Sequence, residues 1–586
     1  MDYTLKTDDK AAKRETLASV YRRLAPLLAE ETRNLSIAVL CVVLTSAANL
    51  LTPLLVARVV DTAMTHGDYG QLLRYAGVLA VVYLLALSTS YMQTLRMGTV
   101  GRNVLFGLRN ELFTQLSSLP VAFFAQNRSG DLISRVNNDT DKLNQFFSQA
   151  LMQMFGNLFI VTGAGILLLV LNFELGLAAI APAVGLLLIT RAISPWVKRS
   201  NRRSMESLGA LSGDVSESLA NFEVIVAFNR VDYFRQKFAA SNERNYRTAA
   251  RAGISSGLFM PLYTLAGSAG SILVLALGVW LISQGTLTIG LLVGYLMYVT
   301  SFYNPLRQMA TVWSSLQQAM AALDRVTEML SLRNDLVRVE NSVTGPGDAV
   351  LAFDRVSFGY SSGKQVLSDV TLTLERGKTY ALVGPTGGGK TTTAMLMARL
   401  YDPAEGTVFL DGRDIRTLEP TERARKIGFI LQEPFLFSGT IRDNIVYGHD
   451  AFAEISDEEL AQRLAAQGLG RFLERFKDGL ATPVSGGGDG LSLGQKQLVA
   501  FLRAVLREPE ILILDEATAN IDTVTERLLE DVLAKLPRET TKVIIAHRLN
   551  TIRNADDIFF VGGGALVEAG SMEHAMDMLL SDHHST

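Results

Sequence analysis

The stretch Ala381-Leu-Val-Gly-Pro-Thr-Gly-Gly-Gly-Lys-Thr-Thr392 decides the fold of the C-terminal part of this chain. It follows the β-branched and aromatic run 371–382, which predicts a strand, and it leads into 391–400, which predicts a helix. From Gly384 onward it reads G-x-x-x-x-G-K-T, in the strand, turn and helix context of a phosphate-binding loop. The glycines let backbone N–H groups converge on phosphates, Lys390 can reach the β and γ oxygens, and Thr391 can ligate magnesium. The stretch therefore predicts a bound nucleotide.

Further polar residues follow apolar runs that predict strands. Asp515 and Glu516 end one such run, Gln432 follows a second, and His547 follows a third. In open α/β sheets ligands bind at the carboxyl ends of the strands, so these side chains are expected near the phosphates. Asp515 is suited to magnesium, and Glu516 to polarising the attacking water.

A Ser-Gly-Gln turn within Leu491-Ser-Leu-Gly-Gln-Lys-Gln497 opens the predicted helix 496–507. In their order along the chain, these motifs resemble the nucleotide-binding domain of the ABC transporter superfamily. The resemblance implies that Glu516 is the general base, that His547 contacts the γ-phosphate, and that Gln432 couples the site to a membrane part. It also implies an ATP-binding set of Tyr360, which would stack on adenine, with Gly384, Pro385, Thr386, Gly387, Gly388, Gly389, Lys390, Thr391, Thr392, Gln432, Ser492, Gly494, Gln495 and Asp522, and the magnesium ligands Thr391, Gln432 and Asp515. Taken singly, Tyr360 fits a core or surface aromatic equally well, and His547 fits a loop histidine.

Two positions depart from the family pattern. The signature is usually Leu-Ser-Gly-Gly-Gln, and here its third residue is Leu493. Just before it, where exporters carry two acidic residues, the chain has Thr482-Pro-Val-Ser-Gly-Gly-Gly488. In the family a signature contacts the nucleotide held by the partner domain. The departures therefore concern the ATP site that this signature completes, unless they are harmless family variation.

Length and composition indicate a multidomain chain that is partly embedded in a membrane. The chain has 586 residues, of which 48% are apolar, and a formal net charge of -3. The absence of a basic excess gives no indication of nucleic-acid binding. The single Cys41 excludes disulfides within the chain and cysteine-rich metal sites. Residues 1–30 are too charged for a cleaved signal peptide, and within them 21–28 predicts a short helix at the membrane surface.

Six apolar runs before residue 315 are long enough to cross a bilayer, which takes roughly twenty residues. They are Leu35–Val60, Leu73–Tyr91, Leu151–Leu171, Leu175–Ser194, Gly257–Ser283 and Ile289–Val312. The alternative, that some are buried helices of a soluble protein, does not suit so many runs in one half of the chain. Only Asn172-Phe-Glu174 separates the third from the fourth, which predicts a tight hairpin.

Basic residues predict the orientation in the membrane. The connections 64–72, 172–174 and 283–288 contain no Lys or Arg, whereas the two long connections contain many, such as Arg102 and Arg202. The positive-inside rule therefore places the long connections, both termini and the ATP site in the cytoplasm. Compactness and the absence of an organelle-targeting segment suggest the inner membrane of a bacterium.

The long connections have helical spacing of apolar residues, so we expect membrane helices that continue into the cytoplasm. Segments 123–139 and 217–230 resemble the two coupling segments of ABC exporters, and the resemblance then covers essentially the whole chain. It implies an exporter-type (type IV) half-transporter. The expected fold is an all-α six-helix transmembrane domain, residues 1–332, a linker, 333–347, and an α/β phosphate-loop (RecA-like) ABC ATPase domain with a helical subdomain, 348–586.

The membrane part offers few clues to a substrate. No Asp, Glu or Lys interrupts the apolar centres, so a proton relay is not indicated. Weakly polar residues there suit an amphipathic substrate, although helix packing explains any one of them equally well. Arg307, beside Pro305, is the candidate for an anionic substrate group. The candidate cavity residues are Asn49, Tyr263, Tyr295, Tyr298, Tyr303, Asn304, Arg307 and Gln308.

The expected function is ATP-driven export of amphipathic or hydrophobic small molecules by alternating access. One membrane half and one ATPase domain make half a transporter, so a second half is required, with ATP held between Lys390 of one and Ser492 and Gly494 of the other. The altered signature beside an intact Glu516 favours a heterodimer over a homodimer. Three alternatives stay open: an importer of siderophores or other hydrophilic nutrients, a flippase of lipids or lipid-linked glycans, and an ATP-gated channel.

Overall fold

The structure is a computed structural model that describes residues 3–5, 29–65, 69–336, 338–340, 344–360, 365–449, 452, 454–515, 523–545, 555–570, 573–575 and 578. These residues divide into two compact units. One unit contains the described residues between 29 and 117, together with 130–331. The other contains residues 3–5, Ser118–Ser129 and the described residues from Leu332 onward. The predicted surface helix, residues 21–28, lies outside the described residues.

The first unit is helical. In chain order, the helices up to residue 331 are α1 (Thr32–Thr65), α2 (Tyr69–Ser118), α3 (Val121–Gln126), α4 (Ser129–Ser134), α5 (Thr140–Gln145), α6 (Leu151–Leu171), α7 (Phe173–Ala220), α8 (Phe222–Ala227), α9 (Val231–Gly257), α10 (Phe259–Ser283) and α11 (Ile289–Ser331). Two π-helical turns, Arg135–Asp139 and Phe146–Ala150, flank α5. The α3 helix falls by its contacts in the second unit.

Among the described residues, five helical stretches are long and apolar enough to cross a membrane. They are Thr32–Met64, Tyr69–Ser118, Ser129–Leu171, Phe173–Ala220 and Val231–Ser283. Each contains one of the predicted runs. The sixth run lies within α11, which is helical throughout its 43 residues. All six runs are therefore helical, and the membrane crossing of the sixth stays a prediction.

The two longest helices extend well beyond a bilayer. With 50 and 48 residues, α2 and α7 are about 75 and 72 Å long at about 1.5 Å per residue. The hydrocarbon core is only ~30 Å thick. The predicted helical extensions are thus present, and each is followed by a six-residue helix. The first of these, α3, begins two residues before the predicted coupling segment 123–139 and overlaps it, and the second, α8, lies inside the predicted segment 217–230.

Short caps fix the tight turns of the helical unit. The predicted hairpin forms where α6 ends at Leu171 and α7 begins at Phe173, with the Asn172 side chain accepting from Leu175 N at 3.1 Å. At the start of α11, Asp61 accepts from Thr288 Oγ1 and from Gly290 N, both at 2.8 Å. A Cβ at Gly290 would lie 2.2 Å from the Ala57 carbonyl oxygen, so glycine lets α11 approach α1.

Buried ion pairs tie the π-helical segment to the distal part of α11. Arg135 is buried and pairs with Glu328 at 2.8 Å. Asp139, also buried, accepts from Arg325 Nε at 2.7 Å and Nη2 at 2.6 Å. Because each buried charge has a partner, these contacts hold the two segments in one register.

The second unit carries the strands β1 (Ala349–Gly359), β2 (Gln365–Glu375), β3 (Thr379–Val383), β4 (Glu405–Leu410), β5 (Arg413–Asp414), β6 (Ile427–Ile430), β7 (Gly439–Thr440), β8 (Pro483–Val484), β9 (Ile511–Asp515), β10 (Thr541–Ile545), β11 (Asp557–Gly562) and β12 (Ala565–Glu568). In its described part, an antiparallel sheet has the order β2-β1-β4-β5, and a larger sheet has the order β12-β11-β3-β10-β9-β6. From β11 to β6 the neighbours of the larger sheet are parallel. Their carboxyl ends therefore meet at one edge.

The predicted strand 371–382 is wrong in one respect, because a turn divides it between β2 and β3. Gly377 in that turn has φ of 79°, and a Cβ there would lie 2.4 Å from the Arg538 carbonyl oxygen. Glu375-Arg-Gly-Lys378 has low strand propensity and Gly377 signals a turn, but the β-branched and aromatic residues on both sides outweighed this signal.

The helices of the second unit are α12 (Lys390–Met397), α13 (Pro420–Lys426), α14 (Ile441–Ile445), α15 (Asp457–Ala466), α16 (Leu493–Val505) and α17 (Thr523–Lys535). Buried Leu460, Phe472 and Leu498 belong to one apolar core that holds α15 and α16 together. This core forms the expected helical subdomain, which carries the signature residues at the start of α16.

Candidate nucleotide-binding site and membrane cavity

The phosphate loop lies between β3 and α12, against β11. Gly384, Gly387 and Gly389 have φ values of +149°, +80° and +109°, which other residues adopt only with strain. A Cβ at Gly384 would lie 2.1 Å from the Val561 carbonyl oxygen, whereas a Cβ at Gly387 would meet nothing within 4 Å. Glycine is therefore required at position 384 for two reasons, the positive φ and the close approach of the Val561 carbonyl oxygen.

Lys390 follows the last glycine of the loop, and its side chain points back to the carbonyl groups at the start of the loop. Its side chain is nearly buried, with the residue 6% exposed, and Nζ donates to Gly384 O at 2.9 Å and to Pro385 O at 3.0 Å. These carbonyls hold the ammonium group above the curve of the loop. A cation in this place, next to the first turn of α12, suits the oxygens of a bound polyphosphate.

The two predicted magnesium ligands from the loop and β9 lie together. Thr391 Oγ1 donates to Asp515 Oδ1 at 3.3 Å, and Asp515 is buried at the carboxyl end of its strand. A hydroxyl and a carboxylate are the hard oxygen donors that Mg²⁺ prefers, so the donor set fits that ion. Gln432 follows β6, which pairs with β9 through Ile430 and Leu514, so it lies at the same edge of the sheet.

Tyr360 follows β1, and its hydroxyl contacts the first turn of α12. Its hydroxyl is 3.0 Å from Thr392 Oγ1, and its ring packs edge-on against Tyr401 and Phe358 with centroids 5.6 and 5.0 Å away. The residue is 37% exposed, so part of the ring is open to a ligand. Its stacking on adenine stays a prediction. Tyr401 was not predicted, because nothing in its local sequence distinguishes it from a core tyrosine.

The signature residues form the N-terminus of α16. Ser492 Oγ accepts from Gln495 N at 3.2 Å, and Gln495 Oε1 accepts from Ser492 N at 2.9 Å, which makes a capping box. Leu493 is 40% exposed at the first position of this helix, beside the cap. An apolar side chain thus occupies the place where the family usually has glycine. Gly494 lies in the same first turn.

The segment before the signature contains no acidic side chain from Thr482 to Gly488. It forms a short 3₁₀ turn at Gly486–Gly488, and φ is 75° at both Gly487 and Gly488. Ser485 Oγ donates to Asp489 O at 3.2 Å and closes the turn. Pro483 and Gly486 therefore stand at the two positions where the family has acidic residues, and the turn that follows contains two glycines with positive φ.

Three predicted residues, Glu516, Asp522 and His547, lie outside the described residues. The strands that lead to two of them are described. The last residue of β9 is Asp515, and β10, which pairs with both β9 and β3, ends at Ile545. The phosphate loop, Asp515 and Gln432 thus follow parallel strands of one sheet, as expected.

The helical unit contains a cavity of about 410 Å³ between α10 and α11. Four of the predicted cavity residues line it, namely Tyr263, Tyr303, Asn304 and Arg307. The other lining residues are Thr264, Gly267, Ser268, Ser271, Ile272, Val299 and Thr300.

The remaining predicted cavity residues do not line this cavity. Tyr295 and Tyr298 are fully buried, and they donate to the carbonyl oxygens of Leu168 and Leu50 on neighbouring helices. They hold α11 against α6 and α1, because a hydroxyl in a membrane protein needs an internal partner. Gln308 accepts from Gln153 Nε2 at 3.2 Å. Asn49 is exposed on α1.

Comparison with known proteins covers both units. Residues 35–306 match the family model of the ABC transporter transmembrane region, and residues 367–519 match the family model of the ABC transporter. The chain is 33% identical over 567 residues to the uncharacterized ABC transporter ATP-binding protein YfiC of Bacillus subtilis strain 168, covering 96% of this chain and 93% of that protein.

Two further relatives have names that mention a substrate. A fatty acid ABC transporter ATP-binding/permease protein of Mycobacterium bovis is 32% identical over 504 residues, covering 86% of this chain and 79% of the relative. A multidrug resistance ABC transporter ATP-binding and permease protein of Lactococcus lactis subsp. lactis is 31% identical over 507 residues, covering 86% and 85%.

Proposed function

Because the chain belongs to the ABC transporter family, with the transmembrane region and the ATP-binding domain on one polypeptide, we propose that it is half of a dimeric exporter of amphipathic or hydrophobic small molecules. ATP hydrolysis would drive this export across the inner membrane of a bacterium. The ATPase domain and both termini would face the cytoplasm, as the basic residues of the long connections favour.

The observation that carries this proposal is the arrangement of Lys390, Thr391 and Asp515. The ammonium group lies over the phosphate loop, and the hydroxyl and carboxylate are 3.3 Å apart beside it. Thr391, Asp515 and Gln432 would hold Mg²⁺, which when bound neutralises charge on the β- and γ-phosphates. Glu516 would accept a proton from the attacking water, and His547 would contact the γ-phosphate. Tyr360 would carry the adenine.

A dimer is proposed because the signature at Ser492 serves a nucleotide held by another subunit in this family. We propose that the other subunit is a different half-transporter. Leu493 places a branched side chain where the family has glycine, and the preceding turn lacks both acids, while the Asp515-Glu516 pair is intact. A partner with the complementary changes would leave the dimer with one fully active ATP site.

Two surfaces support a coupled dimer. On α8 and just after it, Phe222, Val224, Val226 and Phe228 are each more than half exposed. In the ATPase unit a groove of about 340 Å³ is lined by aromatic residues, with Phe437 stacked on Tyr447 and Arg503 placed over both rings. We propose that α8 of one subunit docks into this groove of the other, which would transmit closure of the ATPase domains to the membrane helices.

The cargo is inferred from the membrane part and from the relatives. The apolar helix centres contain no Asp, Glu or Lys, and the cavity between α10 and α11 combines apolar with weakly polar side chains. The names of the relatives from Lactococcus lactis and Mycobacterium bovis mention multidrug resistance and fatty acid. The cavity lining and these two names favour an amphiphilic cargo over a hydrophilic nutrient.

ATP hydrolysis tests the proposal. The chain would be reconstituted in lipid alone and together with a candidate second half-transporter, each beside a Glu516→Gln variant. We expect ATP binding without substantial hydrolysis for the chain alone, and hydrolysis by the pair that falls at least about 100-fold with Glu516→Gln. Robust hydrolysis by the chain alone would replace the heterodimer by a homodimer. Hydrolysis that is indifferent to Glu516→Gln in both preparations would contradict the assigned site.

A further inference from the structure

The cavity between α10 and α11 is lined by two matching polar stripes. Thr264, Ser268 and Ser271 on α10, and Thr300, Asn304 and Arg307 on α11, share spacings of four and then three residues. Residues with that spacing lie on one face of a helix. Both stripes border the same space of about 410 Å³, which is within the ~300–1,000 Å³ usual for small-molecule sites.

Most hydroxyl groups of these stripes have already used their hydrogen. Thr264 Oγ1 donates to Met260 O at 3.0 Å, Ser271 Oγ to Gly267 O at 3.0 Å, and Thr300 Oγ1 to Leu296 O at 3.1 Å. Their bonds run along their own helices, as is common for Ser and Thr in membrane helices. Asn304 and Arg307 on α11 therefore remain as strong hydrogen-bond donors to a ligand, and the hydroxyls of Ser268 and Tyr263 can donate beside them.

Arg307 has no charged partner in the part of the chain that the structure describes. Its Nη1 lies 3.8 Å from Met260 Sδ, and sulfur is only a weak acceptor. A guanidinium group within a membrane span carries a charge that an anionic group of a ligand can neutralise. Arginine also presents N–H groups in a fork that matches a carboxylate or a phosphate.

The cavity is amphipathic, because its charged residue and its apolar residues lie at different depths along the helices. From Ile289 to Arg307 the rise is about 27 Å, so Arg307 lies near the cytoplasmic end of the predicted span, and Thr300 lies about 10 Å deeper. Ile272 and Val299 line the cavity on the deeper side. Tyr303 forms a wall, because its hydroxyl is fixed on Ala179 O at 2.9 Å and Gly267 leaves room for its ring.

We propose that this cavity binds a single-chain amphiphile with an anionic head group, the anion on Arg307 and Asn304 and the alkyl chain along Ile272 and Val299. This inference rests on the proposed export function, whose cargo it specifies. The head group is a carboxylate or a phosphate monoester, which share the charge and the paired oxygens that Arg307 recognises. A cationic amphiphile is rejected because it would meet the guanidinium group.

The test is direct binding to the full chain in nanodiscs of a zwitterionic lipid. Dodecanoate, dodecyl phosphate, dodecanol and dodecyltrimethylammonium would be compared as competitors of radiolabelled dodecanoate. We expect at least one anionic probe to bind about tenfold more tightly than dodecanol, since a hydrogen bond between two charged groups is stronger than one to a neutral hydroxyl. The stronger of dodecanoate and dodecyl phosphate identifies the head group.

Variants sharpen this test. Arg307→Gln is expected to abolish the preference for anions, Arg307→Lys to keep part of it, and Arg58→Gln, a matched change on α1 outside the cavity lining, to keep it in full. Equal binding of dodecanol and both anions by the unaltered chain overturns the proposal, even where a variant fails to fold. A preference that survives Arg307→Gln overturns it as well.

A separate measurement distinguishes failure of the site from failure of the function. ATP-dependent efflux of the probes from proteoliposomes would be followed with the same preparations. Efflux of dodecanol without any anion preference overturns the cavity proposal and leaves export standing. Anion binding that depends on Arg307, without ATP-dependent movement of any probe under conditions where ATP is hydrolysed, overturns export as the function of the site.

A second, independent observation concerns residues 3–5, the N-terminal strap. Tyr3 and Leu5 are buried, and the strap is bonded to the end of α3. Tyr3 N donates to Gln126 Oε1 at 2.7 Å, Leu5 N donates to Asn127 Oδ1 at 3.0 Å, and Asn127 Nδ2 donates to Tyr3 O at 2.9 Å. The ring of Tyr3 packs edge-on against Phe123 of α3, with centroids 6.3 Å apart.

The same tyrosine is bonded to the segment that follows α11. Its hydroxyl donates to Arg333 O at 3.1 Å and accepts from Asp335 N at 3.2 Å. Asn334 Nδ2, between them, donates to Ser118 O at 2.7 Å. Burial raises the pKa of Tyr3, so the hydroxyl stays protonated at physiological pH and can donate. One side chain thus joins the first coupling segment to the start of the linker.

We infer that Tyr3 is a positioning residue, which holds α3 in register with the linker so that movements of the ATPase domain reach the membrane helices. Tyr3→Phe keeps the ring but removes the hydrogen bonds to Arg333 and Asp335. Tyr3→Ala removes the ring and the hydrogen bonds. The measurement is the number of cargo molecules moved per ATP hydrolysed, with thermal unfolding followed in parallel.

We expect Tyr3→Phe to lower the transport ratio severalfold at a nearly unchanged rate of hydrolysis, and Tyr3→Ala to lower it further. A merely structural role would lower transport and hydrolysis together, along with the unfolding temperature. Transport and hydrolysis that fall in proportion, or that do not change in either variant, would overturn the inference.

Discussion

The phosphate loop and the membrane cavity each offer one cationic side chain to a ligand, but they hold it in different ways. Lys390 is nearly buried and donates to two carbonyl groups of its own loop. Arg307 contacts a thioether sulfur as its described polar partner and otherwise faces open space. The loop also depends on glycines with positive φ, whereas the cavity depends on which side chains face it along two long helices. The first site is thus fixed by the backbone, and the second can change its specificity through single side chains.

The largest effect is expected where the backbone itself is altered. In Gly384→Ala the new methyl group would clash with the Val561 carbonyl oxygen, so the loop must move away from β11. We expect ATP binding to become undetectable by fluorescent-nucleotide titration. In the matched variant Gly387→Ala the methyl group has space and only the positive φ opposes it, at about 1–2 kcal/mol. Binding should then fall by roughly 5- to 30-fold. Equal losses in the two variants would mean that contact with β11 does not shape the loop.

This contrast explains how much could be read from the sequence. The phosphate loop and its flanking strand and helix were predictable because all of the chemistry lies within a few consecutive residues. The contact between Thr391 and Asp515 was predictable from a rule for parallel sheets, since both follow strands of one sheet. The capping role of Ser492 and Gln495 follows from their spacing of three residues.

The membrane cavity was predictable only in part. Tyr295, Tyr298 and Tyr303 are spaced along one helix, but the sequence does not say which neighbouring helix each one meets. Packing buries the first two against α6 and α1 and leaves the third at the edge of the cavity. The strap escaped notice for another reason. Three residues carry no periodicity, and their partners, Asn127 and Arg333, are distant in the sequence.

A smaller effect is expected from removing a hydroxyl group that holds helices together. Tyr295 OH donates to Leu168 O at 2.9 Å and to Asn172 O at 3.1 Å, whereas Tyr263 lines the cavity. Tyr295→Phe should lower the free energy of unfolding by about 0.6–1 kcal/mol, as interhelical hydrogen bonds do. Tyr263→Phe should leave it unchanged while altering probe binding. Thermal unfolding in detergent measures both. A loss of stability in Tyr263→Phe as large as that in Tyr295→Phe would remove the distinction between packing and lining tyrosines.

The smallest effect is expected at the end of β9 opposite Asp515. Glu510 accepts from Arg376 Nη1 at 2.8 Å and lies 3.0 Å from Lys426 Nζ, and the same two cations contact Asp411. Partial burial opposes ionisation of Glu510, but the hydrogen bonds from Arg376 and Lys426 outweigh it and hold its pKa below the ordinary value. A carboxylate with a lowered pKa stabilises the fold above the pKa of the unfolded chain, about 4.3, and this contribution is lost as the pH falls through the folded pKa.

Glu510→Gln should therefore lower stability slightly at pH 7, within the ~0–1 kcal/mol typical of partly exposed ion pairs. The difference from the unaltered chain should shrink as the pH falls toward 4 and below, because both chains then lack the charge. Thermal unfolding at a series of pH values measures this, and ATP titration with and without Mg²⁺ supplies the control. Since Glu510 only anchors the start of the strand that carries Asp515, the magnesium dependence should be retained. A stability difference that stays constant down to low pH would assign the contribution of Glu510 to packing instead of charge.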